Sequence, residues 1–190
     1  MTITQQPDGS STSRNGAFVE HVRRISADTG NRARLRRSLR NGKVIGDDAW
    51  WLLGGWLPAD LDEALIMARV AAWCATHRQT ESAPWRTPAG ELARAGVRFS
   101  DQVAQRSLEG MTADGIETHV RIDRVNRVIE MLRPAPVRID WALLIADLSA
   151  FSRGGDRAQR ARHRWYRDFH HSDLNNNEST ERDTNHDQDR

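Results

Sequence analysis

Cysteine, lysine and tyrosine are almost missing from this chain. A single cysteine, Cys74, in 190 residues excludes an intrachain disulfide, a CxxC redox pair and a cysteine-based zinc finger, so the expected compartment is the cytoplasm. Lys43 is the one lysine among 28 cationic residues, so arginine carries the positive charge. The planar guanidinium holds phosphate through paired hydrogen bonds, although codon bias also enriches arginine and its abundance alone is weak evidence for nucleic acid. No apolar run approaches the ~20 residues that span a bilayer. The start, MTITQQPDGSSTSRNG, has neither the basic opening nor the apolar core of a signal peptide, and no membrane partner is expected. No stretch alternates apolar and polar residues long enough to make a sheet strand.

Catalytic signatures are missing too. The seven histidines, His21, His77, His119, His163, His170, His171 and His186, form no HExxH and no other compact ligand set. There is no Walker loop, GxGxxG or GxSxG. Asp123 and Asp147 sit singly within helical segments, where they face solvent or pair with an arginine. Neither an enzyme nor a cofactor or metal site is expected.

With 38% hydrophobic and 28% charged residues, the chain has enough apolar side chains for one domain or two small lobes. Its net charge of +2 conceals an asymmetry: residues 172–190 hold two arginines and six acids, which leaves +6 on residues 1–171. The body is basic and the tail acidic.

Residues 140–171 are the stretch around which the rest is organised. Asp140 is suited to cap a helix in which Trp141, Leu144, Ile145, Leu148 and Phe151 recur on one apolar stripe. Gly154 and Gly155 end it, and Asp156 is placed to cap the next. There Ala158, Ala161, Trp165 and Phe169 share one face. Arg157, Arg160, Arg164 and Arg167 share another, centred roughly 120° away at about 100° per residue. A solvated face is the commoner use of such a row. Only Asp156 and Asp168, at its ends, stand where they would pair with it along the helix, so we read it as a phosphate track.

Upstream, Phe18, Val22 and Ile25 mark a first amphipathic helix. The segment NRARLRRSLRNGK follows, with Leu35 and Leu39 as a thin apolar stripe among Arg32, Arg34, Arg36, Arg37, Arg40 and Lys43. Like charges packed so densely repel one another unless an anion is near. Asp47 and Asp48 open a third helix bearing Trp50, Trp51, Leu53 and Trp56, and residues 61–77 are apolar nearly all round, as a central helix would be. We assign these tryptophans to the core in preference to base stacking. Residues 78–88 read as a loop or linker, with Thr87 capping a short helix that opens at Pro88. Ser100 caps another helix through Leu108, and residues 112–133 make the longest one, with Arg121, Arg124 and Arg127 on its polar side.

An Arg-rich LRRSL after a first amphipathic helix, a late IDW opening an apolar helix, and a W-x-x-x-F ending the last one together resemble the CasB-type small subunit of the type I-E CRISPR Cascade complex. The resemblance runs from about Phe18 to Phe169. It implies an all-helical, non-catalytic protein with two lobes that pairs head to tail with a second copy of itself. Its implied partners are other Cascade protein subunits, the guide RNA, and the target and non-target DNA strands. Carried over by position, Arg36 and Arg37 match the family's basic pair, Arg121 and Arg124 arginines of its penultimate long helix, and Arg160 and Arg162 those of its last. In the helix from Ser100, where relatives commonly show adjacent arginines, this chain has Gln102 and Val103.

The expected fold is therefore all-α, with two small helical lobes, 15–85 and 86–171, forming an elongated bundle between a disordered N-terminus, 1–14, and a disordered acidic tail, 172–190. The expected nucleic-acid contacts are Arg36, Arg37, Arg40, Arg121, Arg124, Arg157, Arg160, Arg162 and Arg164. The rivals are a helical transcription regulator and a helical adaptor without nucleic acid. Few Asn, Gln or Ser accompany the arginines of residues 156–169, so the row suits phosphates better than base edges.

Overall fold

The structure, a computed structural model, describes residues 9–38, 44–77, 86–95, 102–132 and 138–186, with side chains from 14 to 171 except 102–105 and 107. The described residues form nine helices and no strand. They are α1 (Gly9–Ile25), α2 (Thr29–Arg37), α3 (Asp47–Leu53), α4 (Leu61–Thr76), α5 (Pro88–Arg94), α6 (Gln102–Thr112), α7 (Thr118–Met131), α8 (Trp141–Arg153) and α9 (Gly155–His186).

Local chemistry sets most of the boundaries. Asp28, Asp60, Thr87 and Asp140 each accept a hydrogen bond from a backbone N–H of the following turn, which satisfies a donor that has no partner inside its own helix. Gly154 and Gly155 both take positive φ between α8 and α9. α9 begins two residues earlier than a cap at Asp156 would place it, and Asp156 sits in its first turn, where a carboxylate suits the helix dipole. Residues 112–133 are not one helix: α6 runs on through Thr112, Gly115 takes φ +69°, and α7 starts at Thr118. At the ends of the chain, α1 starts at Gly9, inside the segment expected to be a disordered N-terminus. α9 continues to His186, through most of the stretch expected to be a disordered tail.

α4 is buried along almost its whole length and stands at the centre, touching α1, α2, α7 and α8. α8 lies between α4, α1 and α9, while α5 packs along α9. A single core runs from Phe18 of α1 to Phe169 of α9, so helices on both sides of residue 85 contribute to it. Polar ties cross the same boundary: Trp73 Nε1 donates to Asn126 Oδ1 at 2.8 Å, and Thr118 Oγ1 to Asp62 Oδ2 at 2.9 Å. Trp73, Trp141 and Trp165 are core residues as expected. Trp51 and Trp50 are not, with 83% and 40% of their surfaces exposed.

Candidate nucleic-acid interface

The arginines fall into two groups with different work to do. The first lies inside the protein, at the C-terminal end of α6. That helix has no basic residue in its own last turn, and its final carbonyls have no intrahelical donor. Three arginines from other helices supply one. Arg121 of α7 donates to the carbonyl of Met111, to that of Ala113 at 2.9 Å and to that of Phe151 at 3.4 Å. Arg124 donates to Gly110 O at 2.6 Å, so close that a Cβ on Gly110 would stand 2.7 Å from Arg124 Nη1. Arg162 of α9 places both Nε and Nη2 on Thr112 O, at 3.0 and 2.6 Å, and reaches Asp114 Oδ1 at 2.7 Å. Cations at a helix C-terminus are favoured by its dipole as well as by the open carbonyls.

Burial changes the electrostatics here. Arg121 is 1% exposed, and its pKa is pushed down to about 10, first by burial and then by the neighbouring charges of Arg162 and Arg124, with Asp114 opposing. It stays charged at neutral pH. Its guanidinium also lies 5.1 Å from the centre of the Phe151 ring, a cation–π contact. Phe151 meets Trp165 edge to face at 5.4 Å, and Trp165 Nε1 donates to Asp147 Oδ2 at 2.6 Å. The other oxygen of Asp147 pairs with Arg164. Asp147, 1% exposed, is thus the buried anion of the α8–α9 contact; burial pushes its carboxyl pKa up, and Arg164 and Trp165 draw it part of the way back.

Four of the expected phosphate ligands are engaged within the fold. Arg121 is enclosed, with both terminal nitrogens on backbone carbonyls. Arg162 is committed to Thr112 and Asp114, and Arg164 to Asp147. Arg124 is half-buried with one nitrogen held by Gly110. Helical spacing along α9 puts Arg164 in one row with Arg157 and Arg160, but its partner comes from α8, which no count along α9 reveals. The lone aspartate inside the apolar α8 is the available signal.

The second group faces outward. Arg36 and Arg37 are exposed on α2, and Arg157, Arg160 and Arg167 on α9. Among the described residues, Arg36 and Arg160 have no ion pair. Arg37 Nη2 lies 3.5 Å from Asp48 Oδ2, and Arg34 Nε 4.0 Å from Asp48 Oδ1, both links well open to solvent. Arg40 lies outside the described residues. No three His, Cys, Asp or Glu side chains gather as a metal site would require, and no helix is long and apolar enough to cross a membrane, in both cases among the described residues.

A family model described as CRISPR-associated protein Cse2 matches residues 31–170, from the first turn of α2 into the last helix. No curated protein and no solved structure matches the chain.

Proposed function

The chain belongs to the CRISPR-associated Cse2 family, which makes it a Cascade subunit, and from that premise we propose that it binds nucleic-acid backbone through Arg36, Arg37, Arg157 and Arg160 without catalysing a reaction. Its ligands are the guide–target duplex and the displaced DNA strand, held so that the open state resists re-annealing. Arg40 belongs to the same set by its place in the basic segment. A second copy of the chain extends the track along the complex. The observation that carries the reading is the division of labour among the arginines. Arg121, Arg162 and Arg164 are tied to the chain's own carbonyls and carboxylates, whereas Arg36 and Arg160 stand outside with no carboxylate partner among the described residues. An exposed cation without an acid beside it adds little to the fold and is available to an anion. Phosphate contacts of this kind carry no base identity, as a guide-directed complex requires.

The test is a complex assembled with guide RNA and target DNA, in which oxidation of displaced thymines by permanganate reports how open the strand is. Replacing Arg36, Arg37, Arg157 and Arg160 together by Ala should shorten the lifetime of the open state while the subunit stays in the complex. An unchanged lifetime with the variant subunit present overturns the proposal.

A further inference from the structure

Trp51 is the most exposed large apolar side chain of the protein among the described residues, and nothing in the fold accounts for it. Its own helix does not place it in an apolar stripe. On α3 the positions three and four residues before it are Asp48 and Asp47, and those three and four after it are Gly54 and Gly55. Ala49 and Leu53 face the core, on the other side. An apolar protein patch meeting this side of α3 would find the Trp51 indole, with the less exposed Trp50 beside it, between carboxylates and glycines, which is limited apolar surface. Gly54 and Gly55 are exposed and carry no side chain, and Gly55 has open space where a Cβ would be, so neither residue puts a side chain beside the ring.

One turn before the ring, carboxylates and guanidiniums lie together. Asp48 stands one turn before Trp51 on the same face, and it draws Arg37 and Arg34 of α2 across towards α3. Arg36 is exposed on the same short helix. An exposed indole one helical turn from the carboxylate that holds two guanidiniums of the neighbouring helix matches one class of ligand better than another protein. That ligand is a planar base joined to a phosphate chain.

We propose that Trp51 is a stacking platform for an unpaired base of a single strand whose phosphates are held by the arginines of α2. The inference rests on the backbone-binding reading above and adds to it a contact that phosphates cannot make. Stacking tolerates any sequence because every base has a π face, so the platform fits a protein that does not read bases. It also separates single strand from duplex, whose bases are already stacked on one another.

The experiment uses the full-length chain and two probes, an oligothymidine strand and a strand of equal length whose sugars carry no bases. The wild type should bind oligothymidine more tightly than the abasic strand. Trp51→Ala should lose about 5- to 150-fold in affinity for oligothymidine, the equivalent of one stacked base, and should bind the two strands alike. Trp51→Phe should keep most of the wild-type preference. The slope of log affinity against log salt should be the same in all three proteins, because every phosphate-binding arginine is still present. An unchanged melting temperature for Trp51→Ala shows that the weaker binding is not a matter of folding. If the wild type binds with a clear salt slope but does not distinguish the two strands, the platform is refuted while the electrostatic reading stands. If the wild type shows neither binding nor a salt slope, the electrostatic reading fails and the platform that rests on it fails with it. A Trp51→Ala protein that binds both strands as the wild type does, yet leaves the assembled complex, would make Trp51 a protein contact and refute the platform.

Discussion

Arg164 turns its guanidinium inwards onto Asp147, and the second oxygen of that carboxylate takes the indole N–H of Trp165 from the same helix at 2.6 Å. Four residues earlier on α9, Arg160 points into solvent. The two arginines share a stripe and have opposite consequences. Arg164→Ala strands a buried carboxylate without its cation and should cost about 3–5 kcal/mol. Arg160→Ala should change stability by no more than about 0.5 kcal/mol. Urea unfolding of the two single variants measures the difference.

Asp147 also makes stability depend on pH. Burial pushes its carboxyl above the ordinary value of 3.8, and Arg164 and Trp165 compensate in part. The folded state therefore holds this proton more tightly than the unfolded chain does. The contribution of the group is fully present below the unfolded value and is lost as pH rises through the folded one. Wild type should lose stability relative to Asp147→Asn over that interval, read from thermal melts at a series of pH values. A difference that grows in the other direction contradicts the assignment.

The α5–α9 contact depends on a missing side chain. Asp168 accepts from Thr87 N at 2.9 Å and from Thr87 Oγ1 at 2.6 Å, with Arg94 Nη2 3.3 Å from its other oxygen. A Cβ on Gly90 would collide with that carboxylate, which is held in place by the first turn of α5. Gly90→Ala should therefore cost about 1–3 kcal/mol as an overpacking change, even though Ala is the better helix former. A gain in melting temperature would show that α9 has room to move away.

Cys74 reports on the α1–α4 contact. Its thiol pKa is pushed up to about 11 by burial, against the pull of Arg23 on α1. A thiol both enclosed and protonated is unreactive. Labelling by a thiol reagent at mildly alkaline pH should proceed only through opening of the fold, at a rate that rises with denaturant. Immediate labelling of the native protein would contradict this.

Much of the architecture is legible in the sequence because it rests on local rules. Thr87 and Asp140 cap the helices that follow them, and Trp141, Leu144, Ile145, Leu148 and Phe151 form the buried stripe of α8. Gly115 is equally visible, yet the apolar periodicity on either side of it suggests one continuous helix where there are two. The fates of the arginines are not legible. Arg162 and Arg160 lie two residues apart, and what separates them is the end of α6, 50 residues away, which Arg162 reaches. Spacing along one helix reports which side chains share a face and says nothing about what that face meets. The sequence places Trp51 in the core for the same reason, since the apolar residues beside it supply a context whose buried side is Ala49 and Leu53.

The central claim is that Arg36, Arg37, Arg157 and Arg160 form an external phosphate track distinct from the arginines inside the fold. The most direct test is the salt dependence of single-stranded DNA binding by the full-length chain. With all four replaced by Ala, the slope of log affinity against log salt should flatten by about 0.7 for each phosphate no longer neutralised, equally on unrelated sequences and with little change in melting temperature. Arg162→Ala should do the reverse, lowering the melting temperature and leaving the slope as it was. A quadruple variant that stays folded and binds with the wild-type affinity and slope would contradict the account.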